Sequence, residues 1–271
     1  MVAYYNEIDP FAAQWLRNLI DAGHIAPGVV DTRSIEDVTP NDLIGFNQCH
    51  FFAGIGGWSL ALRRAGWPDS RPAWTASCPC QPFSAAGKGL GFADERHLWP
   101  SAHWLIGQRR PVVVFCEQSG SADADHWIDL VQADLEGLGY AFGALAFPSA
   151  SVGAPHWRDR AYWVADADGE QRPFTVSAGS YEDISRQWNK NSEAVAGCGG
   201  AVQPGPVNGF WRDADWLCGR DGKWRPVRPG SFPLANGVPG RVGRLRAYGN
   251  AINIEAATAF IKAYMAAVGY V

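Results

Sequence analysis

Apolar positions along this chain switch between two periods. Short apolar runs at residues 2–6, 28–30, 50–53, 72–77, 111–116 and 161–165 predict strands. The run that starts at Pro111, Pro-Val-Val-Val-Phe-Cys, is a continuous β-branched stretch of the kind buried on both faces of a sheet. Between these runs the spacing is helical. Phe11, Trp15 and Leu19 form a stripe along residues 10–20, opened by Pro10 where proline fits a first turn. Residues 58–65 predict a helix stopped by Gly66 and Pro68, and residues 98–108 another. Residues 122–136 place Trp127, Leu130, Val131 and Leu135 on one face, with Ser121 able to cap the start and Gly137 and Gly139 at the end. Residues 253–268 carry Ile254, Ala257, Ile261, Tyr264 and Val268 along a last apolar face. Strands alternating with helices predict a parallel α/β sheet. From about residue 167 to 238 the periodicity lapses into Gly, Pro, Trp and Arg, which predicts a separate, irregular lobe. The expected division is 1–166, then the lobe at 167–238, then 239–271 returning to the first part.

Composition narrows the class. With 271 residues, 47% hydrophobic and 18% charged, the chain can bury a large core and does not read as disordered. No run is long and apolar enough for a membrane span, and no secretory leader is visible, so a cytoplasmic protein is expected. Six cysteines in such a chain do not predict a disulfide framework, and Cys78-Pro79-Cys80 without a second Cys/His pair does not predict a metal site. The net charge of −4 hides an asymmetry. Residues 1–48 hold two basic against seven acidic residues, whereas residues 201–271 hold nine basic against four acidic. A basic last third suits a surface facing phosphates, and equally a solvated face; charge alone does not separate the two.

Four local patterns carry chemistry. Phe51-Phe52-Ala53-Gly54-Ile55-Gly56-Gly57 stands at a predicted strand-to-helix turn, where glycines let a ligand approach backbone N–H groups. Read alone, it is also what a plain tight turn needs. Ser77-Cys78-Pro79-Cys80-Gln81-Pro82-Phe83-Ser84 holds a cysteine between two prolines just past a strand, at the sheet edge where α/β proteins place active sites. Glu117 follows a buried strand, a costly position for a carboxylate without a partner or a task. Finally, Pro155-His156-Trp157-Arg158-Asp159-Arg160 spaces two arginines at i and i+2, which would share one side of an extended segment.

Together these patterns resemble the cytosine-C5 DNA methyltransferase family. Phe52 to Gly57 resembles its first cofactor motif, and Pro79-Cys80-Gln81-Pro82-Phe83-Ser84 its catalytic loop. Glu117-Gln118-Ser119 stands where the family has Glu-Asn-Val, and His156-x-Arg158-x-Arg160 where it has Gln-x-Arg-x-Arg. Tyr248-Gly249-Asn250-Ala251-Ile252 resembles the last motif. The order departs from the family's. Only residues 58–77 separate the glycine motif from the catalytic loop, where two further strands are usual. Their counterparts lie upstream: Tyr5-Asn6-Glu7-Ile8-Asp9-Pro10-Phe11 resembles the second motif, and residues 31–38 the third. The chain therefore resembles a circularly permuted member, of the compact bacterial or bacteriophage type. His50 also stands where an Asp is common before the glycine motif.

The resemblance implies a Rossmann-like class I S-adenosylmethionine-dependent methyltransferase sheet, with the irregular lobe as target-recognition element. It implies Cys80 as nucleophile on carbon 6 of cytosine, Glu117 at ring N3, and Arg158 and Arg160 positioning the base. S-adenosylmethionine would lie over Phe52, Ala53, Gly54, Ile55, Gly56, Gly57 and Trp58, with Glu7 at the ribose hydroxyls and Ile8 beside it in the cofactor site. Asp31 or Ser34, beside Ile35, would meet the adenine, and Pro79, Asn250 and Ala251 would complete the site. No metal is expected. Double-stranded DNA is the implied partner, bound by a monomer. Three rivals share the catalytic residues or the fold: a methyltransferase acting on RNA, a binding-only relative, and a cysteine enzyme acting on free pyrimidine nucleotides.

Overall fold

The computed structural model describes residues 3–78, 98–119, 122–154, 158–167, 213, 215–218, 224–227 and 251–270. They form two units, one from residues 1–149, 158–171 and 237–271, the other from residues 150–157 and 172–236.

The first unit is built on a seven-stranded sheet in the order β2-β1-β3-β4-β5-β7-β6. β1 (Ala3–Asn6), β2 (Gly28–Asp31), β3 (Gln48–Phe51), β4 (Ala73–Ala76) and β5 (Val113–Ser119) run parallel. β7 (Asp159–Asp166) is antiparallel to β5 and to the edge strand β6 (Ala141–Pro148). The sheet is therefore mixed, a correction to the parallel sheet expected. β6 went unpredicted because its Ala-Phe-Gly-Ala-Leu-Ala pattern alternates small residues with large ones and buries neither face fully. The other strands and helices fall within a few residues of their predicted places.

Helices cover both faces. Tyr5, Leu16 and Ile25 pack α1 (Pro10–Asp21) onto one face, where α2 (Gly57–Ala65) also lies, with its Ser59 Oγ 3.0 Å from the Tyr5 hydroxyl. α5 (Ile254–Ala267) shares that face, its Phe260 and Tyr264 rings set edge-on against Phe115. Strand residues one position away point to the other face. Tyr4, Cys49, Phe51, Trp74 and Cys116 meet Trp99, Leu105, Trp127 and Leu135 of α3 (Trp99–Arg109) and α4 (Ala122–Gly137) there. Two 3₁₀ turns, Ile35–Asp37 and Pro40–Leu43, complete this layer with the buried Ile35 and Leu43.

This arrangement fixes the relative hand of the connections. β1–α1–β2 steps one way across the sheet over the first face; β2–β3 and β4–α3–β5 step the other way over the opposite face, so all three share one hand. β3–α2–β4 steps with the latter but lies over the first face, which gives it the opposite hand. Parallel crossovers are right-handed in about 98% of cases, so β3–α2–β4 is the exception. It sits where the sequence analysis places the rearrangement: the glycine turn is joined directly to the strand before the catalytic loop.

In the second unit, β8 (Asp215–Cys218) and β9 (Trp224–Val227) form an antiparallel hairpin within the stretch expected to be irregular, with Trp216 buried. No helix among the described residues is long and apolar enough to cross a membrane.

Candidate active site

The parallel strands end together, and their carboxyl edge gathers the residues singled out by sequence. Glu7 follows β1, Asp31 closes β2, the glycine turn follows β3, Ser77 follows β4, and Glu117 lies near the end of β5. Such an edge collects ligands because helix N-termini and loop N–H groups converge on it.

β3 stops at Phe51, two residues before the predicted end, because Phe52 takes a left-handed conformation (φ +52°). The chain then turns through Gly54 (φ +55°) and Gly56 (φ +79°) into α2, whose first turn no side chain caps. Among the described residues, a Cβ on Gly54 would meet nothing nearer than the Phe52 carbonyl oxygen at 4.0 Å. Gly57 faces the opposite situation: a Cβ there would stand 2.8 Å from Cγ1 of Ile252. Glu7 reaches across from β1, its Oε2 accepting from the Gly54 N–H at 2.7 Å and its Oε1 from the Asp9 N–H at 2.8 Å. A carboxylate held beside a glycine turn and an uncapped helix start is a donor and acceptor set that fits a ribose-bearing cofactor. Ile8, next to it, is 65% exposed and offers an apolar surface.

The third motif is arranged differently from the expectation. Arg33 grips Asp31, with Nη2 on Oδ2 at 2.6 Å and Nε 3.1 Å from Oδ1, and the Tyr4 hydroxyl donates to Oδ2 at 2.7 Å. Burial works against the Asp31 carboxylate, yet Arg33 and Tyr4 outweigh it and hold its pKa below the usual range. Ser34 Oγ accepts from the Glu36 N–H at the head of a 3₁₀ turn. Ile35 is 3% exposed and belongs to the core. Of these three side chains none presents an unengaged polar group to the edge. Trp58 is likewise core, 4% exposed: its Nε1 donates to Ser77 Oγ at 3.0 Å and its ring sits against Phe115 and Tyr162. It ties the start of α2 to the end of β4.

Glu117 lies inside β5 rather than after it, because β7 pairs with β5 through Ser119. Across the ladder Tyr162 stands opposite Glu117 and Arg160 opposite Ser119. Arg160 therefore approaches Glu117 on the diagonal, with Nε 2.7 Å from Oε1. The carboxylate side chain is only 9% exposed. Burial pushes its pKa up, and the neighbouring Arg160 and Arg158 guanidinium groups offset only part of that rise. Arg158 is not the extended neighbour that an i, i+2 spacing implies. It precedes β7 with φ +36°, and its Nη2 donates to the Ala251 carbonyl oxygen at 2.6 Å.

Pro79, Cys80, His156 and Asn250 lie outside the described residues. Sequence reasoning missed Tyr162, whose buried hydroxyl has no hydrogen-bond partner among the described residues and whose ring Trp58 meets edge-on. Its period-two spacing from Arg160 was the available signal. Among the described residues no group of His, Cys, Asp or Glu could hold a metal ion.

Residues 70–198 match the family model for C-5 cytosine-specific DNA methylase. The chain is 32% identical over 114 residues to the type II methyltransferase M.HaeII of Haemophilus aegyptius, covering 41% of this chain and 36% of that one. It is 26% identical over 168 residues to M.HhaI of Haemophilus parahaemolyticus, covering 47% and 51%. Over 156 residues it is 24% identical to M.CviJI of Paramecium bursaria Chlorella virus IL3A, covering 53% and 42%. The chain thus spans between a third and a half of the length of these relatives. A solved structure of Spodoptera frugiperda DNMT2 superposes with a TM-score of 0.43 at 18% identity, over 65% of this chain and 45% of that one.

Proposed function

We propose, for a chain that belongs through residues 70–198 to the C-5 cytosine-specific DNA methylase family, that it is a DNA (cytosine-5)-methyltransferase. The substrate is a cytosine flipped out of a short duplex site, and the cofactor is S-adenosylmethionine. The observation that carries this reading is the buried Glu117–Arg160 pair on the same sheet edge as the Glu7–Gly54 contact. One half suits a neutral heterocycle that gains electrons at N3, and the other a ribose.

Carbon 5 of cytosine is a poor nucleophile, and addition at carbon 6 activates it. Cys80 supplies the thiolate, forming a bond from Sγ to carbon 6. The electron pair released toward N3 is met by Glu117, whose raised pKa suits it to deliver a hydrogen bond or a proton there. Arg160 keeps that carboxyl aligned and faces the developing charge. Carbon 5 then takes the methyl group, loses its proton to solvent, and the Sγ–carbon 6 bond breaks to restore the thiolate and the aromatic ring. S-adenosylmethionine supplies the activated methyl. This chain's part would be to hold it, with Glu7 at the ribose hydroxyls and the Gly54–Gly57 turn, Ile8 and Ala251 completing the site. Flipping costs a few kcal/mol. The lobe at residues 167–238 offsets that cost by contacts to DNA, with its arginines on phosphates and guanine edges. The setting is a bacterial or phage-infected cytoplasm, in DNA protection or restriction–modification.

The test is transfer of labelled methyl from S-adenosylmethionine to duplex DNA by the wild type and by Cys80→Ala, with bisulfite sequencing of the product. Methyl at carbon 5 in a recurring short site, lost in the variant, is the expected result. Folded protein that labels RNA but no DNA of any sequence overturns the choice of substrate.

A further inference from the structure

Arg158 is bound to a different part of the molecule from its neighbour Arg160. Arg160 reaches Glu117. Arg158 donates from Nη2 to the carbonyl oxygen of Ala251, 93 residues further along the chain. The next residue, Ile252, is 8% exposed and lies against Gly57, so closely that a Cβ on that glycine would stand 2.8 Å from Ile252 Cγ1 and 3.3 Å from Cδ1. Gly57 opens α2 and closes the glycine turn. A continuous path therefore runs from Arg158 through Ala251 and Ile252 to the backbone beneath the proposed cofactor.

The backbone of Arg158 is specified as tightly as its side chain. Its φ of +36° is a region that residues with a Cβ seldom occupy unless their surroundings dictate it. Its carbonyl oxygen accepts from both the N–H and the Oγ of Ser149, each at 3.2 Å. Arg158 thus stands just before β7, outside the paired register that carries Arg160 and Tyr162 across from β5.

We infer that Arg158 is a positioning residue for the cofactor site: it holds Ala251 and Ile252 against Gly57, and so divides labour with Arg160, which serves Glu117 and the target base. This rests on the reading of the glycine turn as a seat for S-adenosylmethionine. The two arginines of one short motif then act on two substrates.

The test is calorimetric binding of S-adenosylhomocysteine, without DNA, to the full chain as wild type, Arg158→Ala, Arg158→Lys and Arg160→Ala, alongside initial rates of methyl transfer. Arg158→Ala should weaken binding about ten-fold, the order expected when a hydrogen bond from a charged donor is lost. Arg160→Ala should leave binding within about two-fold and lower the maximal rate instead. Arg158→Ala that binds S-adenosylhomocysteine as tightly as wild type overturns the inference. Should that variant not fold, Arg158→Lys carries the same decision: reduced affinity at an unchanged melting temperature supports it, and unchanged affinity overturns it. A wild type that binds no S-adenosylhomocysteine overturns the cofactor reading itself, an outcome distinct from the failure of Arg158 alone.

Discussion

Replacing Arg160 with methionine should make stability depend on pH in a particular way. The substitution keeps the length of the side chain and removes the charge from a pair whose carboxylate is 9% exposed and whose Nε–Oε1 separation is 2.7 Å. Stranding one member of a buried pair costs about 3–5 kcal/mol. The lower end applies here, because Arg160 is 24% exposed and Arg158 still favours the ionised carboxylate. The carboxyl can also escape by taking up a proton. Its pKa lies above the ordinary 4.5 because burial outweighs the two arginines, and losing one of them raises it further. A folded-state pKa above the unfolded one favours the fold at low pH, and that advantage is lost as pH rises from the unfolded value through the folded one. The deficit of Arg160→Met relative to wild type should thus be smallest at the acid end of the range. It should grow as pH rises, by at most about 1.4 kcal/mol per pH unit, toward about 3 kcal/mol once the carboxyl is ionised in both proteins. Urea unfolding of both proteins at several pH values from 5 to 8 measures this. A deficit that is the same at every pH, or below about 0.5 kcal/mol throughout, would refute the assignment of Glu117 as a buried carboxyl governed by Arg160.

His50 gives the opposite slope. Burial pushes its pKa down to about 3 from 6.5, so the fold is destabilised as pH falls from 6.5 toward 3, by about 1.4 kcal/mol per unit. His50→Gln should flatten that part of the acid-unfolding profile, whatever its offset at pH 7. Gly28→Ala should lower the urea midpoint by the equivalent of about 2–3 kcal/mol. Its Cβ would stand 2.3 Å from the Ala3 carbonyl oxygen and force β2 off β1; a midpoint equal to wild type would show that the edge strand yields without cost.

Much of the site was legible before any coordinates, for reasons that differ by residue. The Val-Val-Val-Phe-Cys run reads as a buried strand, and all of it but the exposed Val112 lies in β5. The upstream acidic motifs were expected beside the glycine turn despite their place in the chain, and Glu7 does meet Gly54, 47 residues away. What the sequence did not reveal depends on register and on backbone dihedrals. Nothing in the residue pattern says that β7 pairs with β5 as far as Ser119, which draws Glu117 inside the strand. Nor does it say that Arg158 adopts a positive φ and donates to the Ala251 carbonyl oxygen. Nor does the resemblance of residues 31–38 to the third motif reveal that Arg33 closes on Asp31 and also lies 3.2 Å from Asp42. Ile35 looked like a ligand contact from its place beside Ser34, but the 3₁₀ turn rotates it into the core.

A connection of the disfavoured hand stays in place only through whatever lies on top of it. α2 spans Gly57–Ala65, too short to persist alone in water. Its cover is α5. Ile252 and Ile254 rest on Gly57, Arg64 pairs with Glu255, and the buried Thr258 places its Oγ1 3.5 Å from the Ala61 carbonyl oxygen while donating to that of Ile254. The last helix of the described chain is thus ballast for the glycine turn. A bulky substitution on the face of α5 that meets α2 should register some two hundred residues earlier, as a looser Gly54–Gly57 backbone.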